Sequence, residues 1–159
     1  MERVVRSWLR QLMPQIHLPH PMREDMHWER DLGLDKEAQV RLSEYLHQMF
    51  HLLDRDISLF LLQYEFWGEW MNVLVQASLD SDLPITYLSS GNTGRPQACT
   101  YHKTALSQEV EFLGRLIQPT KRIVNLVPTH HIYGFLFSVL LPERLGIEVI
   151  DAQSQSFLG

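Results

Sequence analysis

The feature that most limits how this chain can fold is a change of hydrophobic rhythm around Ser78-Leu79-Asp80-Ser81-Asp82. Before that polar tract, apolar residues recur every three or four positions, as on one face of an amphipathic helix. After it, short apolar runs with strand character alternate with helical stripes. The pattern predicts an α+β chain of two modules: a small helical bundle over residues 1–79 and a partial α/β segment over 80–159.

In the first module Val4, Val5, Trp8, Leu9 and Leu12 form a helical stripe. Pro14, Pro19 and Pro21 end it, because proline lacks the N–H that a helix needs and clashes with the preceding turn. A second helix is predicted after Asp35, whose carboxylate can cap an otherwise unpaired backbone N–H, with Leu42, Leu46, Met49, Phe50 and Leu53 on one face. An apolar run from Ile57 to Leu62 and a helix near Phe66 to Ala77, bearing Trp67, Trp70, Met71 and Leu74, complete the bundle. Gly68 weakens that last helix. All four tryptophans fall in this module, where core packing is their expected role and a partner surface the alternative.

In the second module, Ile85 to Leu88 and Gln97 to Thr100 read as strands flanking a glycine-containing loop. Leu106, Val110, Leu113 and Ile117 mark a helix, Ile123 to Val127 a strand, Tyr133 to Leu145 a helix and Ile147 to Ile150 a closing strand.

A hydrophobic share of 45% in 159 residues is enough to bury a core, which argues against a disordered or fibrous chain. The net charge of -5, with no long Lys/Arg run, argues against nucleic acid or an anionic membrane as partner. The amino terminus reads as neither signal peptide nor membrane span, so a cytoplasmic protein is expected. Cys99 is the only cysteine, which excludes an internal disulfide and argues against a thiolate zinc site. His47 and His51 stand four apart on a predicted helix, a spacing that can grip a metal, but no third ligand accompanies them and no metal site is assigned.

The stretch that points to chemistry is Ser89-Ser90-Gly91-Asn92-Thr93-Gly94-Arg95-Pro96. Its glycines let the backbone turn sharply and aim N–H groups at an anion, and Ser, Asn and Thr add further donors, which together suit a triphosphate. It differs from the common nucleoside-triphosphatase loop, since no Gly-Lys-Ser/Thr follows and a strand comes next. A polar hairpin connection is the alternative reading of the loop alone.

The stretch resembles the phosphate-binding signature of the adenylate-forming superfamily, Ser/Thr-Ser-Gly-Ser/Thr-Thr-Gly-x-Pro-Lys, which runs through acyl-CoA synthetases, aryl-CoA ligases and adenylation domains. The resemblance implies that Ser89, Ser90, Gly91, Asn92, Thr93, Gly94 and Gln97 contact ATP, with Mg2+ taking part in a complete enzyme. Two residues depart from the pattern. Asn92 replaces a hydroxyl but can still donate. Gln97 replaces the lysine, so the polyphosphate loses a cation there, with Arg95 and Lys103 as the nearby groups that could compensate.

Val127-Pro128-Thr129-His130-His131-Ile132-Tyr133-Gly134-Phe135 is similar to the superfamily's Pro-x-x-His-x-x-Gly segment, which borders the acyl or aryl pocket. The resemblance implies that His131, Tyr133 and Gly134 contact the carboxylic acid substrate, with a solvated His-His turn as the alternative. The wider run, from Cys99-Thr100-Tyr101-His102 through Pro128 to Phe137 and on to Ile150-Asp151-Ala152, looks like the ligases of aryl polyene pigment gene sets, which activate a coumarate-like or hydroxybenzoate-like acid. The superfamily's later motifs for adenine, ribose and the mobile catalytic lysine are not found in these residues, so no catalytic residue is assigned and activity by this chain alone is not expected.

Asp31-Leu32-Gly33-Leu34-Asp35, followed by Val40 and Leu42, is similar to the acyl carrier protein signature. Carriers attach phosphopantetheine to a serine where this chain has Lys36, and an ammonium cannot form that phosphodiester, so no phosphopantetheine is expected. The implied reading is the N-terminal portion of an ATP-dependent acyl or aryl acid ligase, with a small carboxylic acid and ATP as ligands and pathway enzymes or carrier proteins as candidate partners. The rival reading is a non-catalytic docking module, or a remnant, in a polyketide-like or fatty-acid-like aryl polyene pathway.

Overall fold

A computed structural model describes residues 1–52, 61–79, 83–89 and 97–152. Leu53, the run from Ile57 to residue 60, the tract 80–82 and the loop residues Ser90, Gly91, Asn92, Thr93, Gly94, Arg95 and Pro96 lie outside the described residues. Helices and strands together make an α+β protein, and contacts divide the chain into Met1–Thr86 and Tyr87–Gly159.

The first unit holds helices α1 (Glu2–Leu12), α2 (Lys36–Phe50) and α3 (Trp67–Leu79). Val4, Val5 and Leu9 of α1 are fully buried, and Trp8 stacks on Tyr45 of α2 with ring centroids 4.3 Å apart. Arg6 turns its guanidinium to the carbonyls of Pro19 (2.6 Å) and Leu18 (3.4 Å), which fastens the proline-rich segment to α1 and supplies partners for a cation that is itself buried. Asp35 caps α2, its carboxylate accepting from the Ala38 N–H at 2.8 Å.

Trp28 is fully buried against Trp70 and Trp67, at 4.7 and 5.5 Å. The segment that carries it lies on the start of α3: Trp67 N–H donates to Met26 and Gly68 N–H to Glu24. Gly68, expected to weaken α3, is what permits this approach, because a Cβ there would stand 2.7 Å from the Glu24 Cβ. Glu69, in the first turn of α3, accepts from the N–H groups of Glu65 and Phe66 and so closes the helix start.

Strand β1 (Ile85–Ser89) runs from the end of the first unit into the second, where it and β2 (Gln97–Tyr101) are hydrogen-bonded neighbours and helix α4 (Lys103–Leu116) follows. Strand β3 (Arg122–Asn125) then leads through a crossover to β4 (Glu148–Asp151). The two strands pair in parallel, with Arg122 opposite Glu148 and Asn125 opposite Asp151, which makes a β-α-β unit. The crossover is helix α5 (Ile132–Phe135), a π-helical turn over Leu136–Leu140 and helix α6 (Leu141–Leu145), where a single helix was expected. Gly146, at φ 65°, ends α6 in the left-handed conformation that glycine adopts without strain. Parallel sheets are usually covered on both faces. Here the crossover packs on one, and Val124 on the other is 55% exposed.

Candidate functional site

Strand β1 delivers Ser89 to the start of the glycine-containing loop, and β2 begins at Gln97 where that loop ends. The two shoulders are joined by a hydrogen bond from the Ser89 hydroxyl to the Gln97 carbonyl at 3.2 Å, so the ends of the loop are held close together. The Gln97 side chain is solvent-exposed. Ser90, Gly91, Asn92, Thr93 and Gly94, the remaining candidate phosphate contacts, lie outside the described residues.

His131 lies against the end of the same strand. Its Nδ1 is 3.2 Å from the carbonyl oxygen of Leu88, the residue before Ser89. A carbonyl can only accept, so Nδ1 carries a proton in this contact and Nε2 is the nitrogen turned away from it. The residue singled out for the acid pocket is thus held against the residue that precedes Ser89.

Backbone bonds shape the turn that presents His131. Its N–H donates to the Pro128 carbonyl at 3.0 Å, and its carbonyl accepts from Phe135 at 2.8 Å as α5 begins. Gly134 makes the turn possible: a Cβ there would fall 2.1 Å from the Pro128 carbonyl oxygen and 2.9 Å from the Thr129 Cα. Tyr133 is 69% exposed, whereas Phe135 is buried and packs on the Tyr87 ring at 5.7 Å.

His130 is buried beside His131, with ring centroids 4.5 Å apart. Burial, and then the neighbouring His131, push its pKa down to about 4, so His130 is neutral at pH 7. Burial also raises the Tyr87 phenol far above its usual value, with Tyr101 adding to the effect.

A polar network not anticipated from the sequence lies behind this turn. The Asn125 amide donates to Asp151 Oδ1 at 2.8 Å and to Thr129 Oγ1 at 3.3 Å, and its oxygen accepts from the Val127 N–H. The Thr129 hydroxyl lies 3.3 Å from that of Ser138, which donates to the Gly134 carbonyl. Asn125, Thr129 and Ser138 are buried at the carboxyl end of the parallel strands, the edge at which open α/β sheets place their ligands. The only local hint of this was polar residues inside apolar runs.

Among the described residues no group of three or more His, Cys, Asp or Glu could hold a metal ion, so they do not by themselves make a Mg2+ site. His47 is buried, and His51, the left-handed C-cap of α2, pairs through Nε2 with the Thr86 hydroxyl at 2.8 Å. Among the described residues no helix is long and apolar enough to cross a membrane.

Three known proteins share this sequence pattern along most of the chain. A 4-coumarate–CoA ligase of Cereibacter sphaeroides is 32% identical over 147 residues, covering 88% of this chain and 36% of the relative. One from Halorhodospira halophila is 32% identical over 120 residues, covering 76% and 30%. The chain is a distant relative of adenylate-forming CoA ligases. A third 4-coumarate–CoA ligase, from Rhodobacter capsulatus, is 26% identical over 150 residues, covering 89% and 38%. The chain spans about a third of the length of these relatives. No protein-family model and no solved structure matches the chain.

Proposed function

We propose that this chain supplies the phosphate-loop and acid-side portion of an ATP-dependent aryl acid–CoA ligase whose substrate is a hydroxycinnamate of the 4-coumarate type. The observation that carries the reading is the hydrogen bond between His131 and Leu88, which sets an imidazole beside the strand end from which the loop departs. Relatives named 4-coumarate–CoA ligase, similar over 76–89% of this chain, support the choice of acid.

In the proposed reaction a carboxylate oxygen of the acid attacks the α-phosphorus of ATP. The new O–P bond forms as the bond to the β-phosphate's bridging oxygen breaks, and pyrophosphate leaves. The sulfur of the CoA thiol, after losing its proton, then attacks the acyl carbon, and AMP departs with the former carboxylate oxygen.

Backbone amides of residues 89–94, with the side chains of Ser90, Asn92 and Thr93, are the donors proposed for the phosphates, while the Ser89 hydroxyl holds the two ends of the loop together through the Gln97 carbonyl. Gln97 donates a neutral hydrogen bond where related loops place a cation, which weakens the hold on the polyphosphate. His131 meets the acid carboxylate and Tyr133 the aryl group. Gly134 keeps the turn close enough to the strands for both. Mg2+ would arrive with the nucleotide, where it would neutralise charge on the phosphates; the described residues offer no metal-holding cluster of their own.

The helical unit reads as a carrier-like bundle that docks on pathway proteins without carrying phosphopantetheine, since Lys36 stands at the attachment position. Pigment assembly of the aryl polyene kind is one pathway that consumes such an activated acid.

Calorimetric titration of the chain with ATP, AMP and a set of aryl acids tests the reading. Saturable heat is expected with ATP and with 4-coumarate. Absence of heat with all of them at millimolar concentration would contradict it and favour a docking role.

A further inference from the structure

We propose that Asn125, Thr129 and Ser138 form a directional hydrogen-bond relay whose task is to position His131, making them positioning residues for the acid side of the site.

The direction of the relay follows from counting protons. Ser138 spends its hydroxyl proton on the Gly134 carbonyl, so in its contact with Thr129 it must accept. Thr129 therefore donates to Ser138 and accepts from the Asn125 amide. The other amide hydrogen of Asn125 goes to Asp151 Oδ1, across the parallel pairing of β3 and β4. The relay thus runs from the carboxyl ends of both strands, through the turn, to the carbonyl of Gly134 three residues after His131.

Packing alone gives no reason for this composition. Ser138 and Thr129 are 0% and 2% exposed, and a buried hydroxyl costs stability unless it is paired. Alanine and valine would fill the same space without that liability. What the hydroxyls add is direction: each accepts or donates along one line, which fixes the Pro128–His131 turn against the strand ends at one height. The π-helical turn over Leu136–Leu140 belongs to the same device. The bond from Ser138 to the carbonyl four residues earlier opens the helix at this point, and π turns recur where a helix serves a site. His131 leaves the Pro128–His131 turn with its Nδ1 on the Leu88 carbonyl, a contact that survives only while that turn keeps its height above β1.

The inference rests on the role proposed for His131, but its test uses neither acid nor nucleotide. In the full chain labelled with 15N and 13C, the ring shifts of His131, assigned against His131→Gln, report which nitrogen carries the proton. The Nδ1–H form should dominate in the unaltered chain and in Thr129→Ser, which keeps the hydroxyl. It should fall by at least twofold in Thr129→Val, which keeps the shape and loses both links. Ser138→Ala, which removes only the far end of the relay, should shift it the same way and serves as the second variant should Thr129→Val not fold. An unchanged tautomer in a folded Thr129→Val or Ser138→Ala, or a Thr129→Ser that behaves like Thr129→Val, would overturn the relay. Should the relay pass while the unaltered chain takes up no aryl acid, the ligase reading fails and the relay stands as a property of the fold.

Discussion

His131 Nδ1 lies 3.2 Å from the carbonyl of Leu88, and that contact ties the turn before α5 to the strand that opens the candidate phosphate loop. It leaves Nε2 as the nitrogen available to a ligand. His131→Ala should therefore weaken 4-coumarate binding by about tenfold, ~1.4 kcal/mol, with ATP binding changed much less. Calorimetry on the unaltered chain and on His131→Ala checks it, and equal losses for acid and nucleotide would point to a disturbed fold.

Gly134 and Gly33 separate two reasons for glycine. Gly33 has φ 71° and open space around its missing Cβ, so Gly33→Ala should cost about 1–2 kcal/mol from backbone conformation alone. Gly134→Ala drives a Cβ into the Pro128 carbonyl, which the backbone must move to relieve, and should cost about 2–3 kcal/mol. Native-state hydrogen exchange, read separately in the two units, measures both. A Gly134→Ala chain as protected as the original in the second unit would refute the assigned role.

The Tyr87 hydroxyl is buried and has no hydrogen-bond partner among the described residues, while its ring packs between Tyr101 and Phe135. Tyr87→Phe keeps the ring and removes the unpaired group. Stability should stay level or rise by about 1 kcal/mol, measured by hydrogen exchange in the second unit. A loss of similar size would reveal a partner for the hydroxyl.

His130 is held neutral, its pKa depressed to about 4 from an ordinary value near 6.5. The unfolded chain thus takes up the proton first as pH falls. The stability due to the neutral ring is present in full above pH 6.5 and lost progressively down to about pH 4. Hydrogen exchange in the second unit should show that decline, and His130→Phe should flatten it.

How much of this could be read from the sequence depends on distance along the chain. Asp35 capping α2 and the prolines closing α1 were legible because each acts on its own neighbours. Gly68 was legible only as a residue that weakens its helix without forbidding it, because Glu24, whose approach it permits, lies 44 positions away. The Asn125 to Asp151 bond depends on the parallel register of β3 and β4, which no local pattern encodes, and the π turn over Leu136–Leu140 hides inside an ordinary helical stripe. The contact of His131 with the Leu88 carbonyl joins positions 43 apart, and only the resemblance to ligase motifs singled out His131 in the sequence.

The most direct test is an NMR titration of the 15N-labelled chain with ATP, following the amides of Ser89 through Gln97 together with His131. The account predicts saturable shifts concentrated in that stretch and at the neighbouring imidazole, larger for ATP than for AMP. Shifts confined to the helical unit, or none up to several millimolar ATP, would contradict it.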